Sequence, residues 1–304
     1  ILKYKNFMNT KEIVNQYFDQ IYIVHLDNFT ERKKKMIEQI KKFNLKNITV
    51  IDSINKEDID MEKCKKLNIV AYPGIESCKH DPQCSCKGNG HKTHEFPGRV
   101  ACYYGHYLAW DDIVKNKYEK CLILEDDFVL NNDFHNKFKT LYTHMPNDWE
   151  VILFENSQWI NRMKHRYKNI HKKDIIDNDP YFFKTPYGTQ DAGCYAITGN
   201  TAKVLVNKSL PIRAGADAFI GMCMDRYFII KNFYISKINL SHNGSIGTNA
   251  GIYKGYTENT HRISDKKCDN NALNLELKKL VNKYEKTDIN SLYLLKKSKT
   301  VLIL

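Results

Sequence analysis

Residues Gln20–Ile51 read QIYIVHLDNFTERKKKMIEQIKKFNLKNITVI. The opening seven, Gln20 to Leu26, are β-branched and aromatic-rich, as a buried strand should be. A polar turn follows. From Thr30 to Phe43 the apolar residues Met36, Ile37, Ile40 and Phe43 then recur at helical spacing behind a Thr-x-x-Lys start. Ile48 to Ile51 is a second short strand. Strand, helix and strand within about thirty residues form the unit that builds parallel sheets with right-handed crossovers.

Outward from this unit the same reading continues. A helix is expected from Gly98 to Lys115, and a strand from Cys121 to Leu130 that three consecutive acids interrupt. Val151–Phe154 and Gly193–Thr198 read as strands, Thr201–Asn207 and Ala216–Lys231 as helices, and Tyr234–Ile238 as a short strand. Tyr72 to Pro97 dissolves into Gly, Pro, Cys, His and Lys, a long irregular loop. Asn271–Tyr284 has amphipathic helical periodicity. The sum is an α/β fold around a mixed sheet in one domain, residues 1–264. Within it, residues 76–97 are an inserted Cys/His-rich loop, and residues 265–304 are a C-terminal helical extension packed on the domain.

Composition narrows the partners. The chain has 304 residues, 42% of them apolar, enough to bury a core and to exclude a disordered or fibrous protein. Forty-seven Lys and Arg against thirty-five Asp and Glu leave a net charge of +12, which favours nucleic acid, anionic lipid or phosphorylated small molecules. Nine cysteines is an odd number, and Cys102, Cys121, Cys194 and Cys223 sit singly inside apolar segments, which points to a reducing compartment. No apolar run approaches the roughly 20 residues that span a bilayer. Ile1–Gln20 lacks the apolar core of a secretion signal, although a chain that starts at Ile can have lost an upstream piece. A soluble, intracellular protein is expected.

The strongest chemical feature is Leu122-Ile-Leu-Glu125-Asp126-Asp127-Phe-Val-Leu130. Two apolar runs flank three carboxylates, so the acids should lie where a buried strand leaves the sheet, the end at which open α/β sheets bind ligands. Alternation puts Glu125 and Asp127 on one side and Asp126 on the other. Converging carboxylates repel each other and lose hydration, and a divalent cation relieves both costs; hard oxygen ligands suit Mg²⁺ or Mn²⁺. A solvated turn carrying acids is the alternative. His242, in Leu240-Ser-His-Asn-Gly-Ser-Ile-Gly-Thr248, could complete such a site and would favour Mn²⁺, because nitrogen is the softer donor. The glycines and Ser245 would let backbone N–H groups approach a phosphate, unless the stretch is an ordinary surface loop.

Two further clusters stand out. Cys102, His106 and Trp110 are spaced i, i+4, i+8 on the expected helix, so they share one face. That stripe reads as core packing rather than as a nucleophile with its base, with His106 bonded to a neighbouring loop. Cys78, His80, Cys84, Cys86, His91 and His94 crowd into one loop, where a structural Zn²⁺ is one reading and a loop with incidental ligands or a single disulfide the other.

The chain resembles glycosyltransferase family 25, which contains bacterial lipooligosaccharide galactosyltransferases and collagen hydroxylysine galactosyltransferases. The residues that carry the resemblance are Ile23-Val-His25-Leu26-Asp27 with Glu31-Arg32, then Pro97-Gly98 through Ala101-Cys102, Gly105-His106 and Trp110, leading into Ile123-Leu-Glu125-Asp126-Asp127. Tyr195-Ala-Ile-Thr198 with Ala202 and Leu205, and Pro211 with Asp217, continue it. His25, Ala101 and Gly105 stand where the family has Asn, Gly and Ser. The resemblance implies a GT-A-like fold with a Rossmann-like nucleotide-binding half. It also implies inverting transfer of a hexose, galactose or glucose, from a UDP-sugar to a hydroxyl of a collagen-like hydroxylysine or of a glycan. On that reading Leu26, Asp27, Arg32, Glu125, Asp126 and Ser245 meet the nucleotide, with Arg32 free to pair with phosphate. Asp127, Glu125 and His242 hold Mn²⁺ or Mg²⁺, and Asp217, or else Asp191, takes the acceptor's proton. No direct nucleic-acid binding is expected, and a homo-oligomer is left open. The Lys, Asn and Ile bias fits a bacterial cytoplasm or that of a viral host. A zinc-containing nucleic-acid-binding protein is the competing class, and a two-metal phosphoesterase would want a further acidic or His cluster.

Overall fold

The computed structural model describes residues 10–26, 29–71, 97–154, 179–185, 192–225, 227–243, 270–281 and 283–285. The sequence unit that opened the reading folds as expected: β1 (Gln20–His25), α2 (Thr30–Lys42) and β2 (Ile48–Asp52), with β1 and β2 parallel. A short α1 (Ile13–Tyr17) precedes them, and α3 (Met61–Lys66) and the long α4 (Pro97–Asn116) follow. Strand β3 (Lys120–Glu125) lies parallel to β1 on its other side, pairing Val24 with Glu125. Beyond it come α5 (Phe134–His144), β5 (Val151–Leu153), β6 (Phe182–Lys184), β7 (Cys194–Thr198), α6 (Gly199–Lys208), α7 (Ala216–Asp225) and β8 (Phe233–Ser236). With α8 (Asn270–Leu280) and β10 (Lys283–Glu285) at the C-terminal side, the central sheet has eight strands in the order β10-β2-β1-β3-β7-β5-β8-β6. Four strands run parallel from β10 to β3, and β7 then pairs antiparallel with both β3 and β5. This is the mixed α/β sheet the sequence called for.

Alternation along the strands sorts the core into two layers. Tyr22, Val24, Cys121 and Ile123 pack with Trp110, Ile113, Leu205 and Phe219, from α4, α6 and α7. Ile21, Ile23, Leu122 and Leu124 pack on the other face with Met36, Ile37, Phe134 and Phe138, from α2 and α5. Helix α4 is pinned at both ends: the Ser53 hydroxyl donates to the Ala101 carbonyl (2.8 Å), and the Tyr22 hydroxyl donates to Asp112 (2.8 Å).

The helix also lies very close to the end of β1. A Cβ placed on Gly105 would stand 2.5 Å from Val24 Cγ1 and 3.0 Å from Ser53 Oγ. Gly105→Ala is therefore expected to lower stability by about 1–3 kcal/mol through overpacking. A urea melt reads this directly, and an unchanged midpoint would mean that the helix can lift away without cost.

Three boundaries differ from the sequence reading. The expected strand Cys121–Leu130 breaks at Asp126–Asp127, and β4 (Phe128–Leu130) leaves the main sheet to pair antiparallel with β9 (Ser241–Asn243). Asp126 is turned into the protein there and is buried, which bends the chain away from the sheet line. The helix expected to run from Ala216 to Lys231 stops at Asp225. Phe228 takes a left-handed conformation (φ 53°), and the Ile229 amide bonds back to the Cys223 carbonyl. The helix expected over Asn271–Tyr284 ends at Leu280, and residues 283–285 instead add an edge strand beside β2. Helix α8 itself lies on α2: buried Lys33 donates to Asn274 (2.6 Å), Lys41 pairs with Glu276, and Leu277 enters the core. Among the described residues no helix is long and apolar enough to cross a membrane.

Candidate active site

The acids sit at the C-terminal end of β3, at the edge of the parallel half, and each has its own environment. Asp126 follows Leu124 onto the α2 side of the sheet, where its side chain is 6% exposed. Its Oδ1 receives Arg32 Nη1 at 2.6 Å, and its Oδ2 meets His25 Nδ1 at 2.8 Å. Burial alone would raise this carboxyl's pKa; the His25 hydrogen bond and the charges of His25 and Arg32 outweigh it and hold Asp126 below the usual carboxylate range. Burial likewise works against the Arg32 cation, but Asp126 and Asp127 more than restore it. Arg32 Nη2 also stands 3.7 Å from Asp127 Oδ2. The expectation that Arg32 is free for phosphate is thus corrected: its guanidinium is already engaged by two carboxylates.

Glu125 falls on the opposite face, against α4, with 30% of its side chain exposed. His106 Nε2 lies 3.2 Å from Glu125 Oε1, and His106 Nδ1 lies 3.0 Å from Tyr195 Oη, which also accepts Trp110 Nε1–H at 2.9 Å. A continuous chain of contacts therefore runs from Trp110 through Tyr195 and His106 to Glu125. The expected core stripe is two-thirds right: His106 and Trp110 are wholly buried, whereas Cys102 is exposed. His106 bonds to a strand tyrosine and to the acid cluster, not to a loop. Solvent reaches Cys102 on one side while protein crowds the rest. Desolvation, then Glu125, Asp217, Asp127 and Asp126, push its thiol well above the usual range, so it is protonated at neutral pH. Four carboxylates thus act on one sulfur.

Asp217 stands in the first turn of α7, and its Oδ1 accepts the Ala218 amide at 2.7 Å. It lines a narrow cleft with Val151, Leu153, Ala192, Tyr195, Ile220 and Phe233. Tyr195 therefore links this cleft to the His106–Glu125 pair. Asp127 is 14% exposed. His242 is exposed in β9, opposite Val129, so the ribbon register carries it to within two residues of Asp127. Leu26 is half-buried just past the end of β1. Asp27, Asp191, Ser245 and the cluster from Cys78 to His94 lie outside the described residues. The sequence reading left Tyr195 without a role, and its signal there was only a tyrosine in an apolar strand. It saw His25 only as a departure from the family pattern, although a polar ring ending a buried strand calls for a buried partner.

A family model for glycosyltransferase family 25 (LPS biosynthesis protein) matches residues 18–220 of the 304. The chain is 23% identical over 230 residues to the human protein named procollagen galactosyltransferase 2, covering 72% of this chain and 33% of that one. It is 25% identical over 218 residues to a glycosyltransferase 25 family member of Anopheles gambiae, covering 68% and 32%. A mouse protein named inactive glycosyltransferase 25 family member 3 is 19% identical over 218 residues, covering 71% and 34%. The chain thus spans about a third of the length of these curated relatives. Among solved structures, mouse xyloside xylosyltransferase 1 aligns with 71% of this chain and 84% of its own at 7% identity and a TM-score of 0.34, too loose a likeness to argue from. The matched span runs from the first core strand through the acids of β3 to Asp217, and the chain belongs to glycosyltransferase family 25.

Proposed function

We propose that this chain transfers a hexose, galactose or glucose, from a UDP-sugar to a hydroxyl on a protein or glycan acceptor, with inversion and with Mn²⁺ or Mg²⁺. The observation that carries the reading is the division of labour at the end of β3. Asp126 is locked inward by Arg32 and His25, while Glu125 and Asp127 keep part of their side chains exposed, and Tyr195 joins the Glu125–His106 pair to the cleft that Asp217 lines. Two carboxylates and an imidazole are donor types that suit Mn²⁺ or Mg²⁺, although among the described residues the ligand atoms of Asp127, Glu125 and His242 do not all lie within 4.8 Å of one another, so they would have to close on the ion. Asp127, Glu125 and His242 would hold it. Such a cation, when bound, neutralises charge developing on the departing diphosphate.

This chain's own residues supply the rest. The Asp126–Arg32–His25 cluster fixes the strand end, so Asp127 is presented in one geometry rather than several. Arg32, engaged by both Asp126 and Asp127, would orient these carboxylates rather than meet the diphosphate itself. Leu26 and Asp27 would border the nucleotide at the end of β1, and Ser245 its phosphates. Asp217 would accept the acceptor hydroxyl's proton as that oxygen attacks, with Asp191 the alternative base. The basic surplus of +12 would draw in the anionic donor. The relatives' names point to a galactosyl donor and a collagen-like acceptor for some members and to inactivity for others, so an activity assay is required.

Thermal denaturation provides the first check. UDP with Mn²⁺ is expected to stabilise the chain by about 2.7 kcal/mol when free UDP is a hundred times its dissociation constant, and UDP alone to do so far less. No shift with UDP and metal, alongside a shift with an oligonucleotide, would replace this reading with the nucleic-acid-binding one. Hydrolysis of a panel of UDP-sugars would then name the donor.

A further inference from the structure

We propose that Cys102, His106 and Glu125 form a second cation site, selective for a borderline-soft divalent ion of the Zn²⁺ class. The ligand-capable atoms of these three side chains all lie within 4.8 Å of one another. Cys102 and His106 stand one helical turn apart on α4, and β3 delivers Glu125 to the same point. Two ligands bound at about 2.0–2.1 Å in a tetrahedral site are about 3.3 Å apart. The His106 Nε2 to Glu125 Oε1 separation is 3.2 Å, so that edge of the tetrahedron already has its length.

The surroundings are those of a ligating histidine. His106 is wholly buried, and its other nitrogen lies 3.0 Å from Tyr195 Oη, the kind of outer partner that fixes a ligating ring. Without a cation, the Tyr195 hydroxyl donates to Nδ1 and Nε2–H donates to Glu125. With one, the ring takes the other tautomer: Nδ1–H donates to Tyr195 and the Nε2 lone pair meets the ion. The thiol gives its proton to solvent on binding. The negative field of Glu125, Asp217, Asp127 and Asp126, which opposes thiolate formation when no cation is present, favours a dication. Exposure of Cys102 leaves an entry path. Sulfur, nitrogen and oxygen donors together select Zn²⁺ or Co²⁺ over Mg²⁺, and three protein ligands leave a fourth position for water or another ligand. The site shares Glu125 with the proposed donor site but does not rest on that function.

Cobalt gives the test a readout independent of activity. The protein used is the full chain with Cys78→Ser, Cys84→Ser, Cys86→Ser and Cys268→Ser. Apart from Cys102, its remaining thiols, Cys64, Cys121, Cys194 and Cys223, are buried. Titration with Co²⁺ is expected to produce thiolate-to-cobalt charge-transfer absorption that saturates near one ion per chain and is bleached by Zn²⁺. Adding Cys102→Ser should abolish the band, and adding His106→Gln should weaken Co²⁺ binding at least about tenfold. Circular dichroism and melting establish that each variant is folded; should His106→Gln fail to fold, the exposed Cys102→Ser decides alone. Absence of the band before Cys102 is changed, or its survival afterwards, would overturn the proposal.

Discussion

Asp127→Asn is expected to lower hexose transfer by at least about a thousandfold while leaving the fold in place. On the proposed reading, neutralising this side chain would remove one anionic ligand from the cation and leave charge on the leaving diphosphate uncompensated. Losing a single well-placed electrostatic partner of a transition state commonly costs about 10²–10³ in rate, and a metal ligand lies at the upper end because its loss also weakens the ion's binding. Stability should change by less than about 1 kcal/mol, because Asp127 stands 3.7 Å from Arg32 in a partly exposed pair and Arg32 keeps Asp126. The measurement is initial rate against Mn²⁺ concentration for both proteins, with a urea melt beside it. Turnover within tenfold of the parent at saturating metal would remove Asp127 from the metal site.

Asp126→Asn should do the reverse, with its primary effect on folding. The change leaves the largely buried Arg32 guanidinium beside a neutral amide and takes the carboxylate from His25 Nδ1. Breaking a buried pair by removing one partner costs about 3–5 kcal/mol. The pH dependence has a definite sign. The folded-state pKa of Asp126 is lowered, so its contribution is present above the unfolded value of about 3.9 and is lost as pH falls through the lower folded value. The stability gap between parent and variant should therefore narrow as pH falls below about 4. A gap that widened on acidification would mean that some other group holds Arg32. A double-mutant cycle with Arg32→Met isolates the pair, and a coupling below about 0.5 kcal/mol would show that the two contacts are energetically independent.

The sequence made the frame of this site readable. The β1–α2–β2 unit was plain because its apolar residues switch from strand-like to helical spacing within a few residues. Strand alternation placed Asp126 opposite Glu125, as the structure has it, but not Asp127, which lies past the strand end in the turn and stands with Asp126 beside Arg32. The structure adds what receives Asp126: Arg32 on α2 and His25 on β1. Neither partner could be identified from spacing, because both contacts span about a hundred residues of chain and depend on the sheet order. The break after Glu125 was missed for the same reason: flanking apolar residues read as one strand, and only burial of a carboxylate forces the turn. The β4–β9 ribbon has three-residue strands, too short to show a period. The Cys102–His106–Trp110 stripe was visible, but whether it was core or site was not, since two of its members are buried and one of those reaches a partly exposed acid.

The two faces of the sheet make the reading frame of β3 part of the chemistry. Leu122 and Leu124 belong to the α2 layer and Cys121 and Ile123 to the α4 layer, so Asp126 follows the leucines to an interior berth and Glu125 follows the other pair toward α4. A single residue inserted or deleted between Cys121 and Glu125 would exchange these assignments, driving a leucine toward His106 and presenting the wrong carboxyl to Arg32. Evolution of this segment is thereby confined to substitutions: length is fixed by parity, and the hydrophobic interior acts as the ruler that spaces the charges.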